Sequence, residues 1–289
     1  MKKIEKIVLI IIINVFVLCA LFLITEGFFY LKEFPLNKKH FKIEDIKFKF
    51  RHNGLEYKKP PILIYGCSYG YGAGLNDKEH IGYILSKQTK RPVYNFSLEA
   101  RGMQHALYII KNQEIINPKP EYAIYIYIDD HIRRLYMTCM KIDPFYHLEY
   151  EEKDGILQQK NDKLAPIKNT LIYKHIISDL IYPNTSQQKR FELLKLYLKE
   201  MKRELNDKYP NIKFVFLIYN KNYKLDNISN LKFTDKMLEE IKRLDIDVVD
   251  LEDFFGNKLY EDKYRYVGHH PSTQAWQEIV PKLIEFERI

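Results

Sequence analysis

The sequence predicts an α/β fold in which a parallel sheet of about five strands is covered by helices on both faces. Three observations lead to this prediction. Short segments rich in β-branched and aromatic residues alternate along the chain with longer segments of helical spacing. Glycine, proline and asparagine separate these segments. The chain of 289 residues is also long enough to bury one large core.

Five strands and five helices account for most of the chain after residue 60. The strands are predicted at Ile62–Tyr65, Pro92–Phe96, Tyr122–Ile128, Lys213–Tyr219 and Asp247–Leu251. The helices are predicted at Lys78–Thr89, Gln104–Ile116, Gln187–Lys208, Phe233–Leu244 and Thr273–Phe286. Ser272 is placed to cap the last helix. This alternation favours right-handed crossovers and a three-layer, flavodoxin-like α/β/α sandwich.

The longest crossover contains a predicted insertion at about residues 140–185. A small hairpin is expected around Glu152–Gly155, and a helix near Leu171–Ile181. An insertion beside the carboxyl edge of a sheet serves either as a lid or specificity element or as packing decoration, and both interpretations stay open.

An uncharged apolar run precedes the predicted domain. It spans 18 residues, from Ile7 to Ile24, which is about the minimum length for a membrane-spanning helix. No small-residue cleavage site follows it, so we expect an uncleaved single-pass anchor within residues 1–31. A stalk at 32–60 would lead to the domain at 61–289. Short amino-terminal tails usually stay in the cytoplasm, which predicts a periplasmic or extracellular domain.

Charge and cysteine content exclude several classes of protein. The formal charge is +8, but the lysines are spread along the chain and no nucleic-acid motif accompanies them, so a solvated basic surface is expected. Cys67 and Cys139 are too few for a disulfide scaffold, and whether they pair is open. Because no metal-ligand spacing or phosphate loop occurs, neither metal nor cofactor is expected.

Two short segments carry candidate catalytic residues. Ser68 follows the first predicted strand and lies in a turn that contains four glycines, Gly66, Gly70, Gly72 and Gly74. A serine at this point projects at the carboxyl edge of the sheet, where α/β folds bind ligands. Near the end of the chain, His269 and His270 precede Pro271-Ser272 and are candidate bases. A nucleophile and a base are therefore predicted to converge from opposite ends of the domain.

Four sequence blocks resemble those of the SGNH (GDSL-type) hydrolases. They are the Gly-x-Ser turn at Ser68, the segment Asn95–Gly102, the acidic pair after the third strand, and His270-Pro271-Ser272. The blocks occur in the family's order from about Pro61 to the carboxyl terminus. The resemblance implies an SGNH-type sandwich, and a serine esterase or O-acyltransferase that acts on an acylated carbohydrate or another small ester.

The same resemblance assigns roles to individual residues. It implies that Ser68 attacks an acyl carbonyl and that His270 takes the serine proton, with His269 as a neighbour. It also implies that the amide of Ser68 and one amide of the second block stabilise the oxyanion. That second amide is expected at Ala100, and Gly102, which matches a glycine of the family block, is also expected at the oxyanion or substrate-binding site.

The third block departs from the family because Asp130 stands where an asparagine amide is usual. An ionised carboxylate would repel the developing negative charge. Either Asp130 is protonated, or His131 or Arg133 supplies the donor, or Asp130 forms a buried ion pair with Arg133 or Arg134. Asp130 and His131 are therefore expected around the oxyanion.

Two further departures concern Cys67 and Val267. Cys67 replaces the usual aspartate of the first block, and a thiol nucleophile is an alternative, although strand geometry favours its burial. Val267 stands where an acid usually orients the histidine, so Asp262 or Glu261 could reach back, or a Ser–His dyad could act alone. Because of these departures, a catalytically inactive domain that binds glycans or acts as a scaffold is the alternative function.

Overall fold

The fold was determined as a computed structural model that describes residues 13–24, 50–99, 101–136, 150–153, 156–159, 186–220, 231, 233–265 and 270–289. Several expectations lie outside these residues. They are the stalk before residue 50, the helix near Leu171–Ile181, and the positions Ala100, Cys139, Val267 and His269.

Seven strands are present among the described residues. They are β1 (Ile62–Gly66), β2 (Val93–Asn95), β3 (Tyr122–Ile128), β4 (Tyr150–Lys153), β5 (Ile156–Gln159), β6 (Lys213–Asn220) and β7 (Asp247–Asp250). Five of them form one parallel sheet in the order β2-β1-β3-β6-β7. This is the doubly wound order of flavodoxin-like folds. The predicted α/β architecture is confirmed.

Eight helices accompany the strands in the described part of the domain. They are α1 (Ser68–Tyr71), α2 (Ile81–Thr89), α3 (Met103–Asn112), α4 (Asp130–Tyr136), α5 (Gln187–Lys208), α6 (Asp235–Lys242), α7 (Leu251–Phe255) and α8 (Thr273–Glu287). Two short 3-10 turns, Gly256–Tyr260 and Asp262–Tyr264, lie between α7 and α8.

Helices cover both faces of the sheet because each strand presents apolar side chains in both directions. In β1, Leu63 and Tyr65 pack with α3, α5 and α6, whereas Ile62 and Ile64 pack with α2 and α8. All four side chains have no exposed surface. Burial on both faces explains why the strands read as continuous apolar runs rather than as alternating patterns.

Two predicted helix ends differ from the structure by more than two residues. Helix α2 begins at Ile81 rather than Lys78, because the side chain of His80 caps it by accepting a hydrogen bond from the amide of Gly82. Helix α3 ends at Asn112 rather than Ile116, because the backbone beyond it bonds to the end of α5. Lys208 donates to the Gln113 carbonyl at 2.8 Å.

The predicted hairpin in the insertion is confirmed. Strands β4 and β5 pair antiparallel, with Lys153 opposite Ile156. Leu157 is buried, and its carbonyl accepts a hydrogen bond from Lys111 of α3 at 3.2 Å. The hairpin therefore packs against the domain on the face that α3 and α5 cover.

The predicted anchor is described only over residues 13–24, which are helical and expose several large apolar side chains, including Phe16, Leu18 and Leu23. Across the described ranges, no helix combines the length and the apolar character needed to cross a membrane.

The turn after β1 is packed tightly against the end of β2. Asn95 donates from its side chain to the carbonyl of Gly70 at 2.7 Å, and it accepts a hydrogen bond from the Ser97 amide. A Cβ atom on Gly70 would lie only 2.4 Å from Ser97 Oγ and 3.1 Å from Ile126 Cδ1. Glycine is required here by close approach, since Gly70 itself lies within the helical turn α1.

We expect Gly70→Ala to lower the free energy of unfolding by about 1–3 kcal/mol, the usual cost of overpacking a buried site. Helix propensity alone would give the opposite sign, because alanine favours helix over glycine by about 1 kcal/mol. Equilibrium urea unfolding measures the change. Ser97→Gly in the same chain should recover most of the loss, and a Gly70→Ala variant more stable than the wild type would refute the close contact.

Candidate active site

Ser68 is placed at the carboxyl edge of the sheet by β1 and the helical turn α1. The strand ends at Gly66, and Ser68 is the first residue of α1. The carbonyl of Ser68 accepts hydrogen bonds from the amides of Gly72 and Ala73 at 2.9 and 3.0 Å. Gly72 ends the turn in the left-handed conformation, with φ of 76°. These bonds hold the backbone at Ser68 in one geometry.

His270 is placed by the start of α8. The hydroxyl of Ser272 accepts a hydrogen bond from the Ala275 amide and donates to the Lys263 carbonyl at 2.6 Å. The Ser272 amide donates to the Tyr264 carbonyl at 2.9 Å. These bonds join Ser272, two residues after His270, to Lys263 and Tyr264 on one side and to the first turn of α8 on the other.

The structure brings Ser68 and His270 together. Ser68 Oγ lies 2.8 Å from His270 Nε2, which is hydrogen-bonding distance, although the two residues are 202 positions apart in sequence. The residue Ser68 is only 9% exposed. A hydroxyl bonded to an imidazole in this way is arranged for the removal of its proton.

Aromatic side chains support the imidazole from one side. The ring of Tyr69 lies 5.3 Å from the His270 ring, and it packs edge-on against Tyr219 at 5.0 Å. Tyr219 in turn packs against Trp276 of α8 at 5.6 Å. This column of rings connects the residue after the serine to the helix after the histidine, and thereby holds the two together.

The structure does not bring Asp262 to His270, which corrects that expectation. Asp262 is exposed at the start of a 3-10 turn. In the described residues its carboxylate makes no hydrogen bond or ion pair with His270, and neighbouring Glu261 pairs with Lys263 at 3.1 Å. The turn directs both carboxylates toward solvent instead of back toward the histidine.

Gly102 is the N-cap residue of α3, and its amide already has a partner. It donates to Nδ1 of His105 at 3.3 Å, and Gly102 accepts a hydrogen bond from the His105 amide. The amide of Gly102 is therefore directed at the His105 ring and not at an oxyanion. This corrects the expectation that Gly102 contributes to the oxyanion site.

Asp130 forms a buried ion pair with Arg134, one of the alternatives that the sequence left open. Arg134 Nε lies 2.6 Å from Asp130 Oδ2, and the side chains are 14% and 8% exposed. The guanidinium also donates to the carbonyl of Arg101 at 2.5 Å. Arg134 therefore neutralises the carboxylate and connects α4 to the second block, next to the positions predicted to stabilise the oxyanion.

His131 is buried in the core, which corrects its predicted place around the oxyanion. The residue has no exposed surface, and its Nδ1 lies 2.7 Å from the hydroxyl of Tyr125. Burial lowers its pKa well below the usual value. Its ring packs against Tyr127, on the face of the sheet that α3, α5 and α6 cover.

Cys67 is fully buried on the side of the sheet that faces α2 and α8. Burial raises the pKa of its thiol, which disfavours the nucleophilic thiolate. Its predicted burial is confirmed, and a buried thiol is a poor candidate for the nucleophile. Over the described ranges, no group of histidine, cysteine and acidic side chains could hold a metal ion.

Sequence reasoning left Arg134 unresolved and did not identify Tyr69. The choice between Arg133 and Arg134 had a signal, since residues four apart share a helix face and Arg134 stands four after Asp130. Tyr69 had no such signal, because its contact with His270 depends on the packing of α8 against β1.

Arg134→Gln should lower the free energy of unfolding by about 3–5 kcal/mol, because it removes the guanidinium that pairs with the buried Asp130 carboxylate. Asp130→Asn combined with Arg134→Gln should lose clearly less, since the buried charge is also removed. Urea unfolding of the two single variants and the double variant measures the coupling. Additive losses would contradict a buried ion pair.

A second titratable carboxyl lies beside this pair. Asp129 is 3% exposed and accepts a hydrogen bond from the Leu231 amide at 3.3 Å. Burial raises its pKa to about 8; Asp130 and Glu252 add to the rise, and the Leu231 hydrogen bond and Arg190 oppose it. The folded state therefore keeps this proton between about pH 4 and pH 8, where the unfolded state has released it.

Stability contributed by Asp129 should accordingly fall as the pH rises from about 4 to 8. Asp129→Asn keeps the acceptor for Leu231 and removes the ionisation. We expect the stability of this variant relative to the wild type to increase steadily from pH 4.5 to pH 8, as measured by urea unfolding. A difference that does not change with pH would show that Asp129 titrates normally.

The known proteins that this chain matches are solved structures. No family model matches the chain, and no curated protein matches it. A G-D-S-L family lipolytic protein from Desulfitobacterium hafniense DCB-2 is 12% identical, with a TM-score of 0.48, over 78% of this chain and 98% of that one.

Two other similar structures are enzymes by description. A carbohydrate esterase family 2 enzyme with a carbohydrate binding domain, from Corynascus thermopiles (Myceliophthora fergusii), is 11% identical with a TM-score of 0.47, over 79% of this chain and 66% of that one. The salicylyl-acyltransferase SsfX3 of a tetracycline biosynthetic pathway is 9% identical with a TM-score of 0.44, over 79% and 54%. The solved structures to which this chain is similar thus include a G-D-S-L family lipolytic protein, a carbohydrate esterase and an acyltransferase.

Proposed function

We propose that this chain is a serine-dependent esterase or O-acyltransferase of SGNH type. The observation that carries the proposal is the 2.8 Å contact between Ser68 Oγ and His270 Nε2 at the carboxyl edge of the sheet. A serine hydroxyl is a weak nucleophile until a base accepts its proton. The imidazole nitrogen Nε2 of His270 lies within hydrogen-bonding distance of the Ser68 hydroxyl.

In the proposed reaction, Ser68 Oγ bonds to the acyl carbonyl carbon while His270 Nε2 accepts the serine proton. The carbonyl oxygen becomes negative in the tetrahedral intermediate, and backbone amides stabilise it. The amide of Ser68 is one proposed donor and an amide of the second block is the other. The intermediate collapses when the alcohol leaves with the proton from His270, and Ser68 remains acylated.

A second acceptor then completes the cycle. Water would release a free acid, whereas a sugar hydroxyl would receive the acyl group, and both would be deprotonated by His270. The resemblance of the four blocks supports an acyl ester of carbohydrate, such as an acetyl ester, as the substrate. The buried Asp130–Arg134 pair supports a site in which backbone amides, and not a side chain of the third block, stabilise the oxyanion.

We also propose that the amino-terminal segment anchors the domain in a membrane, with the domain outside the cytoplasm. The uncharged run Ile7 to Ile24 supports this, and so do the exposed apolar side chains in its described part, residues 13–24. A tethered enzyme of this kind would act on esters in the cell envelope.

Two observations favour a second candidate function, a domain that binds glycans without turnover. Asp130 is committed to an ion pair, and the amide of Gly102 is directed at His105. Both groups stand in blocks that usually contribute to the oxyanion site. Binding on a glycan array without any covalent labelling of Ser68 would favour this candidate, whereas ester turnover that depends on His270 would exclude it.

A fluorophosphonate probe should label the wild-type chain at Ser68, because the probe reacts with serines that a neighbouring base activates. Ser68→Ala should abolish labelling, and His270→Gln should slow it by about a hundredfold or more. Mass spectrometry locates the label, and its rate is followed over time. Cys67→Ala is the matched control for the buried thiol and should label normally; labelling that persists in Ser68→Ala would disprove the assignment.

A further inference from the structure

The guanidinium of Arg51, a residue outside the four blocks, donates hydrogen bonds to the turn that carries Ser68. Arg51 lies eleven residues before β1, and both of its terminal nitrogens donate two hydrogen bonds each. Nη1 donates to the carbonyls of Tyr71 and Gly72 at 3.1 and 2.9 Å. Nη2 donates to the Leu75 carbonyl at 2.9 Å and to Asp77 Oδ1 at 2.8 Å. The four terminal N–H groups of the side chain are therefore all used.

The carbonyls of Tyr71 and Gly72 lie at the end of the helical turn that Ser68 begins. The turn α1 has only four residues, and a single helical turn is an unfavourable nucleus that needs support from outside. The last carbonyls of a helix have no partner within it. Arg51 supplies donors and a positive charge at this end of α1, and its guanidinium also lies 5.2 Å from the centre of the Tyr71 ring.

The carbonyl contacts matter more than the ion pair. The Asp77 side chain is 94% exposed, whereas that of Arg51 is 14% exposed. A salt bridge to an exposed carboxylate contributes little, because water screens it. The fork of the guanidinium spans three backbone carbonyls on the two sides of the turn, a geometry that the single nitrogen of a lysine cannot reproduce.

We propose that Arg51 is a positioning residue for the nucleophile. By holding the carbonyls of Tyr71, Gly72 and Leu75, it fixes the turn from Ser68 to Leu75, and with it the direction of Ser68 Oγ toward His270. This inference rests on the proposed function for its effect on rate, but the hold on the turn is a structural claim of its own. Misplacement of a reacting atom by about 1 Å can cost a hundredfold in rate.

Arg91 provides a matched control. Its side chain is 15% exposed, it donates to the Pro60 carbonyl at 3.0 Å, and it pairs with Glu121 at 2.7 Å. It lies beside Pro92, at the amino edge of the sheet, opposite the edge that carries Ser68. Arg91→Lys therefore removes a similar half-buried guanidinium without touching the turn.

The test uses the full-length chain in mild detergent and compares Arg51→Lys, Arg91→Lys and Asp77→Asn with the wild type. We expect Arg51→Lys to reduce the maximal rate of fluorophosphonate labelling at Ser68 at least tenfold with little change in probe affinity. The labelling rates of Arg91→Lys and Asp77→Asn should stay within about threefold of the wild-type rate. This should hold even where Arg91→Lys lowers the melting temperature as much as Arg51→Lys does. Equal labelling rates in Arg51→Lys and the wild type would overturn the proposal.

Hydrogen exchange separates this proposal from the proposed function. The amides of Gly72 and Ala73 donate to the Ser68 carbonyl, so their exchange should accelerate in Arg51→Lys and not in Arg91→Lys. Faster exchange in a chain whose wild type never labels would refute the proposed function and still support the hold of Arg51 on the turn. Unchanged exchange at these amides would overturn the role of Arg51 whatever the labelling shows.

Discussion

The hydrogen bond between Ser68 and His270 joins the first strand of the sheet to the last helix of the domain. It can form only if β1 lies near the centre of the sheet and α8 packs beside it, which the order β2-β1-β3-β6-β7 and the shared apolar face of β1, α2 and α8 provide. Parallel strands end at one edge, so every crossover must return the chain to the other edge before the next strand begins. The site therefore depends on the whole sheet and not on any local segment.

Around this contact, the protein stabilises the serine turn from several sides. Asn95 bonds to Gly70 from the neighbouring strand, Arg51 bonds to the carbonyls at the end of the turn, and Tyr69 packs on His270. The first two supply hydrogen bonds that a single helical turn cannot make internally, and the third places an aromatic ring against the imidazole. A short and otherwise weak element becomes rigid because its polar groups find partners in separate parts of the chain.

Buried charge is the second constraint on this edge of the sheet. Asp129 and Asp130 are adjacent and both buried, and the protein treats them differently. Asp130 is matched by Arg134, whereas burial raises the pKa of Asp129 to about 8 and favours its protonated form. The negative charge of Asp130 is thus balanced by a guanidinium, and that of Asp129 is disfavoured by burial. With aspartate at both positions, the third block has no side-chain amide there that could donate a hydrogen bond to an oxyanion.

The sequence by itself determined the five strands of the sheet, the helices α2, α3, α5, α6 and α8, the hairpin of the insertion, the cap at Ser272 and the pairing candidates Ser68 and His270. These follow from local periodicity, turn residues and spacing, which short stretches of chain contain. Only the tertiary structure decided that Asp262 faces solvent, that His131 points into the core toward Tyr125, that Arg134 is the partner of Asp130, and that Arg51 reaches the serine turn. The direction of a side chain depends on which distant elements pack against it, and no local pattern records that packing.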